Sequence, residues 1–271
     1  MSIFNDISAI QNIIYIFSSI LFISGIKMLG KEDTAVKGNF LSALAMFIAV
    51  SVTIINVVNP MIVIIGIAIG ALIGSLIALK VKMTSIPEMV ALFNGFGGLA
   101  TFFIAWSEFN AIPDNVFQYV LIMLTTYIGG VTFSGSIIAY GKLSEKLKIQ
   151  KDSIITKLFT TLFYLSILFL VYSTAFTSFI EIPIDFYKVL LILTLLGGIG
   201  FVLPIGGGDM PVVISLLNSF SGIAAAFAGL LLLNNVLIVA GSLVGASGLI
   251  LTVIMAKAMN RSIGNILFVG Y

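Results

Sequence analysis

The 271-residue sequence contains no cysteine and no histidine. Without cysteine there is no disulfide, no thiolate nucleophile and no cysteine-ligated metal. Without histidine the commonest metal ligand is missing, and with it the one side chain that titrates unperturbed near neutral pH. Proton chemistry here must use carboxylates, water or a group supplied by a partner. Charge is scarce too: 9% of the residues are charged and 60% are hydrophobic. Soluble domains carry about 25% charged residues, so this chain cannot cover a water-facing surface of its own size. Its net charge of +2 is too small to point to nucleic acid.

What the chain does have is a series of long apolar runs. A bilayer core about 30 Å thick takes about 20 apolar residues per helix. Nine runs qualify, near 7–27, 39–57, 61–79, 88–106, 116–141, 155–177, 186–204, 211–233 and 235–256. The sequence therefore reads as an all-α integral membrane protein, a bundle of about nine transmembrane helices forming a single membrane domain over 1–271. Its longest connection is the lysine-rich stretch 142–157. Asp6, not a basic segment, precedes the first run, which reads as a span and not as a cleaved signal.

Lysine and arginine accumulate in cytoplasmic loops. With the N-terminus outside, the inside segments hold Lys27, Lys31, Lys37, Lys80, Lys82, Lys142, Lys146, Lys148, Lys151, Lys157, Lys257 and Arg261, and only Lys188 falls outside. The outer loops collect Asp6, Glu108, Asp114, Glu181 and Asp185. A miscounted helix would scramble this split, so it supports both the count and an orientation with the C-terminus in the cytoplasm.

A weak internal repeat is also visible. PEMVALFNGFGGLA (87–100) aligns without gaps on PVVISLLNSFSGIA (211–224). Either duplication or independent selection for the same helix-opening chemistry accounts for it. The repeat puts Asn94 and Asn218 at equivalent depth inside two spans. A polar group in hydrocarbon must find a partner, and a carboxamide can either glue two helices together or hold water, without titrating. Glu88 and Asp209 precede these asparagines. Ser85-Ile86-Pro87-Glu88 has the form of a capping box with Pro in the first turn, and Asp209 stands where an N-cap would. The competing reading puts both carboxylates at the cytoplasmic mouth of a path, with Asp209 paired to Arg261.

Gly206-Gly207-Gly208-Asp209 lacks the strand, the Lys-Ser/Thr and the spacing of a nucleotide loop, and reads as a joint or a packing site. Gly66, Gly70 and Gly74, and again Gly241, Gly245 and Gly248, recur at helix-packing intervals. Ser134, Ser136, Ser242, Ser247 and Thr252 are suited to local backbone hydrogen bonds or to lining a file of water. No catalytic triad or metal cluster can be assembled, so no catalytic residue and no metal or cofactor ligand is assigned.

Several of these runs resemble the membrane domain of the β subunit of proton-translocating nicotinamide nucleotide transhydrogenase. The most specific is GGGDMPVVISLLNSFSG (206–222); VTFSGSIIAYGKL (131–143) and KAMNRS (257–262) fall in the family's order, and EDTAVKGN (32–39) is a looser match. The resemblance implies a component of an enzyme complex that couples proton translocation across a bacterial cytoplasmic membrane to hydride transfer between NAD(H) and NADP(H). Both cofactors would bind to partner domains. It also implies an α subunit carrying the NAD(H) domain and further helices, an NADP(H)-binding domain, and a homodimer of the whole assembly. Asn218 and Asp209 fall on family positions linked to proton transfer and interdomain coupling, Arg261 on the junction with the NADP(H) domain, and Ser247-Gly248 on a Ser-Gly pair of the last helix. Asn94 stands where many members carry a histidine; others have Asn there and a histidine on the partner subunit, which is the arrangement expected here. The NADP(H) domain would begin near Tyr271, so the chain is expected to be an excised domain or the product of a divided gene, unable alone to transfer hydride. A secondary transporter or ion-conducting subunit, with two similar helices opening to polar midplane positions, and a purely structural scaffold are the competing classes. Neighbouring genes for the two nucleotide-binding parts would separate them.

Overall fold

The computed structural model describes residues 2–55, 57–111, 113, 115–147, 153–176 and 183–268, without the side chains of 2–8, 176 and 268. The expectations placed on Asp114, Lys148, Lys151 and Glu181, and on the side chain of Asp6, lie outside these.

Among the described residues ten α-helices run in chain order: α1 Ser2–Leu29, α2 Glu32–Ile54, α3 Pro60–Lys80, α4 Ile86–Asn110, α5 Val116–Leu143, α6 Ile154–Phe176, α7 Ile184–Val202, α8 Met210–Leu231, α9 Asn235–Ala258 and α10 Ile263–Phe268. No strand occurs among the described residues, and nine of the helices are long and apolar enough to cross a membrane. Proline opens three of them, at Pro60, Pro87 and Pro211, where its missing N–H has no intrahelical partner to lose. α2 starts at Glu32, earlier than the apolar run that announced it. Glu32 and Asp33 fill its first turn, where acidic residues favour a helix start, so the helix begins before the hydrocarbon does.

The described chain forms two compact units. In the first, residues Met1–Val81 with Leu233–Ala240, α1 and α2 form an antiparallel hairpin. Gly25 and Gly38 set its spacing: a Cβ on Gly38 would lie 2.7 Å from the Gly25 carbonyl oxygen. Ser18 Oγ donates to the Ala45 carbonyl at 2.5 Å, and Tyr15 and Thr53 pair through their hydroxyls at 2.9 Å. The glycines of α3 behave differently. A Cβ on Gly66, Gly70 or Gly74 meets no other described residue of the unit within 4 Å. Whatever this stripe packs against is not a helix of the same unit.

The second unit, Lys82–Leu232 with Gly241–Tyr271, is built around α5, which is buried along most of its length. Small residues let neighbours approach its backbone. Gly98 and Gly129 face each other across α4 and α5, each so close that an added Cβ would lie 2.8 Å from the other's carbonyl oxygen. Gly198 of α7 is pressed against Val131 and Ser134 of α5. At one end of the unit Tyr187 stacks on Phe109 at 3.8 Å and shares a 2.7 Å hydrogen bond with Thr126. The other end packs Ala91, Ala139, Val202, Met210, Val213, Leu217 and Ala256 into a second cluster. That end also bears Lys142, Lys257, Arg261, Glu88 and Asp209, because α5, α7 and α9 finish there while α4 and α8 begin.

Candidate functional site

The repeat has a structural counterpart. A 3-10 turn, Met83–Ser85, leads into α4, and the 3-10 turn Gly207–Asp209 leads into α8. Asn94 lies eight residues past Ile86 (94 − 86) and Asn218 eight past Met210 (218 − 210), about 12 Å along each helix at 1.5 Å per residue. The two carboxamides therefore sit at the same depth from the same end of the unit.

The expected caps do not form. Ser85 and Asp209 hold the N-cap positions, but neither side chain accepts a bond from its helix. Entry through a 3-10 turn is the reason. With φ −99°, ψ 8° at Ser85 and φ −90°, ψ −3° at Asp209, neither residue has the extended backbone that turns a side-chain oxygen back to the first amides. The Asp209 carboxylate is left available, and Arg261 takes it, Nη1 donating to Oδ2 at 2.6 Å. The two side chains are 15% and 52% exposed, so the pair lies at a rim, half in solvent. Arg261 is delivered there by the way α9 ends. Asn260 adopts φ 55°, and the N–H groups of Asn260 and Arg261 bond the carbonyls of Lys257 and Ala256 at 2.9 Å, the paired closing bonds of a Schellman turn.

At the depth of the asparagines the polar groups converge on Asn94. Its Nδ2 donates to Ser136 Oγ of α5 at 3.0 Å, and its Oδ1 accepts from Ser221 Oγ of α8 at 2.7 Å. Ser221 Oγ also reaches the Asn218 carbonyl at 2.8 Å. One carboxamide thus joins three helices. Ser136 is buried, whereas Asn94, Asn218 and Ser221 are half-buried. The Asn218 carboxamide makes no hydrogen bond to another described residue, leaving two donors and an acceptor on a half-open surface. A polar group inside a membrane span calls for a partner.

The remaining expected residues are distributed around this cluster. Glu88 is half-buried in the first turn of α4, about 9 Å along the axis from Asn94. Ser247 is exposed and donates to its own helix, to the Val244 carbonyl at 3.1 Å, so it is not among the groups gathered on Asn94. Ser134 and Thr252 bond their own helices. Gly248, Gly245 and Gly241 seat α9 on α8 around Ser219 and Gly222: a Cβ on Gly248 would lie 2.9 Å from Ser219 Cα, and Ser219 Oγ donates to the Gly245 carbonyl at 2.6 Å. The partnership of Ser136 and Ser221 with Asn94 is not evident from the sequence. Ser221 was within reach, since it lies three residues past Asn218 and so on the same helix face.

The family described as NAD(P) transhydrogenase beta subunit matches the chain over residues 11–271. This chain belongs to the NAD(P) transhydrogenase beta subunit family. Two sequences of NAD(P) transhydrogenase subunit beta from Rhodospirillum rubrum are each 38% identical to it over 276 aligned residues. The alignments cover 95% of this chain and 57% of the relatives, so the chain spans little more than half the length of the beta subunits it matches. Membership fits a multi-pass membrane subunit, and among the described residues no cluster of carboxylates could hold a metal ion.

Proposed function

We propose that this beta-family chain is the proton-translocating membrane component of a transhydrogenase, coupling proton movement to hydride transfer between NAD(H) and NADP(H) bound on partner domains. The observation that carries the reading is the half-open pair of carboxamides, Asn94 and Asn218, at one depth in two similar helices, in a unit whose rim holds the Asp209–Arg261 pair. Neither amide titrates, so their part is to order water and hand it to an ionisable group; with no histidine in the sequence, an α subunit supplies that group. Glu88 and Asp209 form the cytoplasmic mouth of the path, with the N-terminus of the chain outside. Ser247 on the exposed face of α9 and the glycines of α3 meet helices of partner chains. Asp209 and Arg261 pass the protonation state to the NADP(H)-binding domain, in an assembly that dimerises in the bacterial cytoplasmic membrane.

The test is Asn218→Leu in the assembled complex. Leucine has the same branched outline but cannot hold water, so proton-coupled transhydrogenation is lost while the subunits still assemble. Unchanged coupled activity would refute the role of Asn218.

A further inference from the structure

Lys142 has no part in the proton path proposed for the carboxamides, yet it is the most heavily bonded cation among the described residues. It lies in the last turn of α5 and is half-buried. Its ammonium donates to the carbonyls of Leu203 and Ile205, each at 2.5 Å, and to that of Val202 at 3.4 Å. These carbonyls belong to the end of α7 and the residues just after it, where a finished helix leaves its acceptors without intrahelical donors. A lysine from a neighbouring helix supplies them.

The residues just beyond this anchor connect it to Asp209. Ile205 is buried, but Gly206, Gly207 and Gly208 are exposed, and a Cβ on Gly207 or Gly208 would meet nothing within 4 Å. Three glycines with no side chain to pack lead straight to Asp209. The direction in which Asp209 leaves the bundle is therefore set at one end by the clamped carbonyls and at the other by Arg261. The clamp sits on α5, the helix whose Ser136 accepts from Asn94 of α4: Ser136 is six residues before Lys142 (142 − 136), about 9 Å along the axis. A shift or rotation of α5 at the carboxamide cluster would move the clamp with it.

We propose that Lys142 is a positioning residue that ties α5 to the α7–α8 turn, so that the state of the carboxamide cluster reaches the Asp209–Arg261 pair through α5. This rests on the proton-coupling reading of those groups. Lys142 transfers no proton in this scheme; it holds the backbone at Ile205, four residues before Asp209 (209 − 205).

The experiment uses the complete transhydrogenase complex in liposomes, with proton uptake and hydride transfer recorded together so that their ratio is measured. Lys142→Met keeps an unbranched side chain, one heavy atom shorter, and removes its donors. It should lower the protons moved per hydride at least twofold and speed deuterium exchange at the amides of 203–209 at least tenfold. Lys142→Arg, which retains donors, should keep both near wild type. A purely structural lysine would change the amount of complex but not the ratio. If Lys142→Met prevents assembly, Lys142→Gln, whose shorter, neutral side chain keeps one amide donor group, should change both readouts in the same direction by smaller amounts, and wild-type values of both in it overturn the clamp. Asp209→Asn is run beside them. A lowered ratio in Asp209→Asn with an unchanged ratio in Lys142→Met overturns the clamp proposal. An unchanged ratio in Asp209→Asn overturns the coupling reading itself, and unchanged exchange in Lys142→Met overturns the geometry.

Discussion

Replacing Asn94 by leucine keeps the branched outline of the side chain and removes both of its interhelical bonds, to Ser136 at 3.0 Å and from Ser221 at 2.7 Å. Hydrogen bonds between helices in a bilayer are worth about 0.6 kcal/mol on average and about 1.7 at most, so the pair accounts for roughly 1–3 kcal/mol. The two serines do not suffer equally. Ser221 keeps the Asn218 carbonyl at 2.8 Å, while Ser136, 1% exposed, loses the partner described for it and carries most of the penalty of a buried hydroxyl. A loss of that size is small beside the roughly 5–15 kcal/mol that holds a typical domain together. The complex should therefore assemble, and its denaturation by SDS in mixed micelles should shift by an amount in that range. Ser221→Ala alone should shift it less, because the half-buried Asn94 carbonyl can turn to water. A double-mutant cycle between the two should return a coupling energy of about 0.5–1.5 kcal/mol. Coupled proton uptake should fall much further than stability does. If Asn94→Leu leaves both stability and coupled activity at wild-type values, the three-helix junction is not what holds these helices and not part of the path.

Other outcomes rest on the same geometry. Gly222→Ala drives a methyl into the backbone of α9 at Gly241 and Gly245, and overpacking of this kind costs about 1–3 kcal/mol; Gly70→Ala should cost the isolated chain nothing, which parallel thermal scans in detergent would check. For Asp209 and Arg261, 15% and 52% exposed, a double-mutant cycle on stability should give no more than about 1 kcal/mol, whereas the same cycle on coupled turnover should show non-additivity; an additive result removes the pair from the coupling route. Asn94→His places an ionisable ring beside Ser136 and Ser221 and should retain part of the coupled activity, measurable as proton uptake in vesicles, where Asn94→Leu retains none.

Much of this fold can be read from residue order. Apolar runs of bilayer length define the nine long helices, and the prolines at 60, 87 and 211 mark three of their starts. The start of α2 is misplaced by hydropathy, which sees the bilayer and not the helix: the turn carrying Glu32 and Asp33 lies beyond the apolar run. The matched depth of Asn94 and Asn218 is contained in the gapless repeat. Their partners are not, since Ser136 meets Asn94 only through the packing of α4 on α5, which sequence spacing cannot encode. The caps at Ser85 and Asp209 fail for a backbone reason, the 3-10 entry, invisible in residue types alone. Spacing also could not tell the two glycine stripes apart. Gly241, Gly245 and Gly248 meet α8, but Gly66, Gly70 and Gly74 share the same periodicity and meet no described residue of their unit.

The central claim is that the two carboxamides stand in contact with water inside the membrane. A density map of the assembled complex in lipid, at a resolution that shows ordered water, tests this most directly. The account predicts water within hydrogen-bonding distance of the Asn218 carboxamide and a continuous polar trail from there towards Asp209. Both amides enclosed by apolar side chains, with no water site beside either, would contradict it.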